Sequence, residues 1–160
     1  MAKHRLKLYD FDQDYLLIGI HSNSEIYKLA YEINSVLKIS LKREKDLEFS
    51  NSNSVYPLYK YSSLKYDSKM FLFANKSLNF SETKSNTLLF NEIDETSLFF
   101  PEHSKIEFFL KIEDGRFNKR ELLTKLNNCK NIISCYKISL KTDKSKYNLI
   151  FEWWNLRKRR

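Results

Sequence analysis

At 160 residues, 42% apolar and 30% charged, the chain has the size and composition of one folded domain. Two independent domains would each be marginal, and a disordered chain would not carry so many aromatic residues. The formal net charge of +8 is concentrated at the ends, in Lys3, Arg5 and Lys7 and in Arg157, Lys158, Arg159 and Arg160.

Basic excess invites a polyanionic partner, but lysine far outnumbers arginine and Asn, Ile, Phe and Ser abound, as A/T-rich coding would also produce. Cys129 and Cys135 match the spacing of neither a zinc knuckle nor a thioredoxin pair, and two cysteines build no disulfide framework. Reduced, partly buried thiols are expected. The N-terminal MAKHRLKLYDFD is charged throughout and no apolar run reaches the length of a membrane span. A cytoplasmic protein with no membrane partner is the expectation.

In chain order, KHRLKLY alternates apolar and basic residues and reads as a half-buried edge strand. YDFDQDY places Asp10, Asp12 and Asp14 at alternate positions, but the glycine and glutamate of a calcium loop are missing, so an acidic turn is predicted. YLLIGIH, residues 15–21, is apolar enough for a central strand. Ser22 followed by Glu25 has the spacing of a capping box, and Ile26, Leu29, Ala30, Ile33 and Leu37 recur at helical spacing, which predicts an amphipathic helix over 23–38. ISLKREKDLEF returns as a strand. YPLYKYSSL and KMFLFANK form a hairpin across SLKYDS, with Pro57 demoting the first of them to an edge. Residues 77–97, rich in Asn, Ser, Thr and Glu, read as a long mobile loop.

KIEFFLKIE, residues 105–113, is a second central strand with Ile106, Phe108, Leu110 and Ile112 on one face and Phe109 on the other. Gly115 ends it. Asn118 and Glu121 then open a second helix with Leu122, Leu123, Leu126 and Cys129 as its stripe, IISCYKISL returns, and KYNLIFEWW closes as a last strand. Ser22, Glu25, Ile26 and Ala30 align with Asn118, Glu121, Leu122 and Leu126, so the chain holds two β-α-β units with a hairpin between them. The expected fold is a ferredoxin-like α+β sandwich with an inserted β-hairpin, an antiparallel sheet carrying both helices on one face. A single domain over 1–152 and a basic tail over 153–160 follow.

Phe100-Pro101-Glu102-His103-Ser104-Lys105-Ile106-Glu107-Phe108 resembles the motif that names the IPExxxVDY family of bacterial proteins from the Bacteroidetes. Pro101 and Glu102 match outright, while Phe100, Ile106, Glu107 and Phe108 stand for Ile, Val, Asp and Tyr. LIGI before a helix, LKREKDLEF, ANKS and KYNLIFE resemble the family's other segments in the same order, so the resemblance spans most of residues 5–152. It implies a small cytoplasmic bacterial protein and brings no catalytic or ligand residue with it. Phe108 in the tyrosine's place argues against chemistry that needs a phenol there.

The residues themselves favour binding over catalysis. Glu102 and His103 are neighbours in a stretch read as extended, where side chains point apart, so Pro101 and Glu102 are expected to shape a strand entry. His4 and His21 have no second ligand at metal spacing, and with Gly19 and Gly115 the only glycines there is no phosphate-wrapping loop. No cofactor and no metal are expected. Tyr9, Tyr15, Tyr56, Tyr59, Tyr61, Tyr66, Phe109, Trp153 and Trp154 interleave with lysines, although the signature of an RNA-recognition motif is absent.

Three readings follow. The first is a non-enzymatic binding module that docks a protein partner or self-associates through an edge strand or the sheet-face residues Leu17, Phe109, Trp153 and Trp154, unless the inserted hairpin and closing strand fold over that face. The second is sequence-nonspecific RNA or DNA binding through the Lys/Tyr surface and the termini, with Arg157, Lys158, Arg159 and Arg160 on phosphates. The third, an enzyme site assembled by folding, has Glu102, His103 and Asp114 as its nearest candidates.

Overall fold

The computed structural model describes residues 15–48, 54–78, 96–113, 117–140 and 144–149. The predicted N-terminal edge strand, the acidic turn, most of the 77–97 loop, Asp114, Gly115, Trp153, Trp154 and Arg157–Arg160 lie outside them. The described chain is α+β. Strands β1 (Leu16–His21), β2 (Lys42–Glu48), β3 (Val55–Ser63), β4 (Ser68–Ala74), β5 (Phe108–Glu113) and β6 (Ser134–Ile138) form one antiparallel sheet in the order β2-β3-β4-β5-β1-β6. Helix α1 (Ile26–Leu37) joins β1 to β2, and α2 (Lys119–Asn127) joins β5 to β6. β4, not β2, lies beside β5, so the inserted hairpin is part of the sheet.

Both helices pack on one face. Leu29, Ala30, Ile33 and Leu37 of α1 and Leu122 and Leu126 of α2 share a core with Leu16, Ile18 and Ile20 of β1 and Phe108, Leu110 and Ile112 of β5. Both faces of β1 are covered, which is why it reads as a nearly unbroken apolar run. Each fully buried Leu or Ile there contributes on the order of 1.5–3 kcal/mol.

The helix ends differ from each other. Asn118 caps α2 as its spacing predicts, its Oδ1 accepting from the N–H groups of Arg120 and Glu121 at 3.0 and 3.3 Å. α1 has Glu25 at its N-cap position, without a side-chain cap. Ser22, the predicted cap, instead donates to the Asn131 carbonyl at 2.5 Å and accepts from the Ser24 N–H. Glu32 takes the N–H groups of Lys130 and Asn131, so both side chains tie the first unit to the loop before β6.

Each helix hands the chain to its return strand through an asparagine that grips both backbone groups of one residue. Asn34 accepts from Leu41 N at 2.6 Å and donates to its carbonyl at 3.1 Å. Asn127 does the same for Cys135, at 2.8 and 3.1 Å. On β6, an outer strand, this fills the place at Cys135 that a further strand would take.

Pro57 is not on an edge, since β3 runs between β2 and β4. The pairing of β2 with β3 jumps from Glu44↔Leu58 to Leu47↔Tyr56, leaving Lys45 and Asp46 opposite Pro57. A β-bulge therefore sits where proline offers no N–H, the other position at which a strand tolerates it.

The second sheet face is covered by the segment entering β5 and by the chain after β6. Phe99, Phe100 and Ile106 pack with Phe73 and Phe109, and Leu140 and Leu149 join the same core. Three expectations change here. The cover is this segment, not the inserted hairpin. Ile106 packs on the Phe109 side, because the backbone turns through Ser104 and Lys105 before β5 begins. Lys144–Leu149 is a 3-10 helix, where a strand was expected from 146 onward.

Candidate functional site

The motif stretch is built around Asn75. Pro101–His103 forms one 3-10 turn, with proline at a position that needs no N–H, and His103 N donates to Phe100 O at 3.0 Å. Asn75, wholly buried, accepts from Phe100 N through Oδ1 at 2.7 Å and donates through Nδ2 to the carbonyls of His103 and Ile106 at 3.0 and 2.9 Å. Its own N–H reaches Glu107 O, and its carbonyl accepts from Phe99 N. Glu102 points outward and is exposed, while the His103 ring packs edge-on against Phe100 and Phe109. Of the motif residues, Phe100, Pro101, Ile106 and Phe108 act structurally.

Leu17 and Phe109, proposed from the sequence as interface residues, are 2% and 0% exposed within this one chain. Phe109 stacks on Phe73 at 5.7 Å and meets Phe100 edge-on at 4.8 Å. They are core.

Glu107 has a different role. Its Oε2 lies 3.1 Å from His21 Nδ1, and His21 Nε2 lies 3.0 Å from Tyr136 Oη. An ionised carboxylate only accepts, so Nδ1 carries a proton toward Glu107, and the Tyr136 hydroxyl meets Nε2 on the other side of the ring. The array ties β1, the residue before β5 and β6 together at one end of the sheet. Tyr136 is 44% exposed there and Ile133, next to the strand, 65%.

The other end of the second face is cationic. Register across β2, β3, β4, β5, β1 and β6 puts Lys42, Lys60, Phe71, Lys111, Leu17 and Ile138 in one cross-strand row. The Lys60 and Lys111 ammoniums lie 5.8 and 5.4 Å from the Phe71 ring centroid. One step along, Lys69 stands beside Glu113, and the Tyr15 ring is 5.1 Å from Lys111 Nζ. Lys111 is buried, pairs with Glu113 and donates to Leu149 O at 3.1 Å. Burial raises the Tyr15 phenol pKa. Four lysines thus face two glutamates, Glu44 and Glu113, on this half of the sheet. Lys42 and Lys60, directly opposed, carry the sharpest unbalanced charge.

Comparison with family models, with curated protein sequences and with solved structures finds no match to this chain. Among the described residues no group of three or more His, Cys, Asp or Glu is placed to hold a metal ion, and no helix is long and apolar enough to cross a membrane. A depression of about 230 Å³ on α2 is lined by Phe117, Asn118, Glu121, Leu122 and Lys125. Its polar side chains are engaged: Asn118 caps the helix, and Glu121 pairs with Lys125 at 2.7 Å, which lowers the carboxyl pKa.

Sequence reasoning named Glu107 but gave it no partner, and set His21 aside for want of one. The lysines were visible as interleaved charges. Their row was not, because alternation assigns a residue to a face while only inter-strand register assigns it a neighbour.

Proposed function

We propose that this chain is a binding module without chemistry of its own, and that its ligand is a nucleic acid strand held through phosphates along the lysine-bearing half of the second sheet face. The carrying observation is the Lys42↔Lys60 pairing, with Lys69 further along the same face, while Lys111 is buried and held by Glu113. Like charges directly opposite across two strands cost stability, and a polyanion lying over the row removes that cost. The terminal Arg157–Arg160 would add phosphate contacts. Fluorescence anisotropy of a labelled 20-mer against rising salt tests the reading. Binding should weaken steeply with salt, by about 0.7 in the log–log slope per phosphate for a single strand. Absence of binding at low salt sinks it.

A second reading, docking of a protein partner or self-association, is favoured by exposed Tyr136 and Ile133 beside the rigid His21–Glu107 pair. A tyrosine held by a hydrogen bond loses little freedom when it docks. Light scattering of the wild type and of Tyr136→Ala with Ile133→Ser tests self-association, and a concentration-independent monomer in both removes that branch. The edge-strand route has less support: the β2 edge is bulged and charged, and Asn127 occupies the β6 edge at Cys135.

The same proposal takes the sheet as a ferredoxin-like plan widened by a hairpin, on the order β5-β1-β6 with both helices on one face. It takes the chain as a cytoplasmic protein similar to the IPExxxVDY family, on the motif's place at the entry to β5.

A further inference from the structure

The turn joining β3 to β4, residues 64–67, is closed by Asp67 with φ 45° and by Asp67 N donating to Leu64 O at 3.4 Å. Turns of this kind are ordinarily polar at their tips. Here Leu64 is 102% exposed and Tyr66 is 47% exposed, with the Lys65 ammonium 5.0 Å from the tyrosine ring centroid. Among the described residues neither side chain belongs to the two core clusters. The strands that leave this turn carry Lys60 and Lys69 on the second face, so an apolar, aromatic tip stands at the margin of the cationic half of the sheet.

We infer that Tyr66 is a base-stacking residue and that the ligand is single-stranded. This rests on the polyanion reading and adds to it what the lysines cannot supply. Phosphate contacts are indifferent to whether bases are paired, whereas an exposed ring finds a base π-face only where bases are unstacked. Leu64 gives the same strand an apolar contact beside the ring. The row holds the backbone, and the tip selects its single-stranded form.

The test uses three probes on the full chain: a labelled uridine 20-mer, a hairpin-closed DNA duplex with no free ends, and inorganic polyphosphate, which has phosphates without bases. Wild type should bind the single strand more tightly than the duplex at equal salt. Tyr66→Ala should weaken single-strand binding about tenfold, the loss of one stacked base, and leave duplex and polyphosphate binding within about twofold. Tyr66→Phe, which keeps the ring, should retain the preference and serves as the folding control. A Tyr66→Ala variant that moves all three probes alike, or none, overturns the stacking role while the lysine row stands. Failure of wild type to bind any probe at low salt overturns the reading beneath it as well.

Discussion

Lys42 and Lys60 stand directly opposite each other on β2 and β3, and among the described residues neither forms an ion pair with a carboxylate. Replacing one by an acid turns repulsion into attraction. Lys60→Glu should therefore raise stability to urea by roughly 0.2–1 kcal/mol while lowering affinity for the single strand and flattening its salt dependence. A variant that is destabilised yet keeps the wild-type salt slope would remove the row from the binding surface.

Asn75 satisfies three backbone groups of the motif stretch with one side chain. Asn75→Ala leaves Phe100 N–H and the carbonyls of His103 and Ile106 buried without that partner, at about 1–3 kcal/mol each. A loss of about 3 kcal/mol or more in urea unfolding is expected. A loss under about 1 kcal/mol would mean that water replaces the amide.

Gly19 lies under the cover of the second face, where an added Cβ would stand 2.8 Å from Ile106 Cδ1 and 3.1 Å from Ile138. Gly19→Ala should cost about 1–3 kcal/mol through overpacking. Ile106→Val deletes the nearest of those atoms, so the double variant should be more stable than the sum of the single losses predicts. Simple additivity in a thermodynamic cycle would show that Ile106 swings aside at no cost.

Burial pushes the Cys135 thiol from the ordinary value of 9.0 to about 11, with Cys129 as a second cause, and raises Cys129 as well. A thiol whose folded pKa is raised contributes fully below the unfolded value and loses that contribution as pH rises through the folded one. Stability should fall between about pH 9 and 11, and Cys135→Ala should flatten that decline, measured as urea midpoints across the range. Tyr15, shifted the same way by burial, adds to the fall. Native protein at pH 8 should also alkylate slowly with iodoacetamide compared with unfolded protein, since the thiolate is the nucleophile.

Periodicity together with cap and turn signals located every described strand and both helices, since most of them bury a stripe of their own residues, whereas β2 buries only Leu47. What it missed depends on partners far away in the chain. Ser22 has the spacing of a cap but bonds across to Asn131. Pro57 looks like an edge marker until the bulge opposite it is seen. Ile106 fits the alternation of β5, yet the turn after His103 sends it to the other face. Asn75, between an apolar run and a lysine, carries no local sign that it organises a segment 25 residues on. Of the candidate site, the charges and Tyr66 were legible; the row and the exposed tip required register and turn geometry.

The bulge at Lys45 and Asp46 has a consequence for how β2 is written. Alternation would send Lys42 and Leu47 to opposite sides of the sheet, yet both belong to the second face, one at its cationic margin and one in its core. The strand is thus composed in two frames spliced at the bulge. Deleting one of the two bulge residues would leave Lys42 and Leu47 four positions apart, so ordinary alternation would keep both on the second face, with Lys42 still opposite Lys60 and Arg43 still over the Tyr59 ring. The bulge thus absorbs one extra residue opposite Pro57 while leaving the charges that the surface displays where a regular strand would put them.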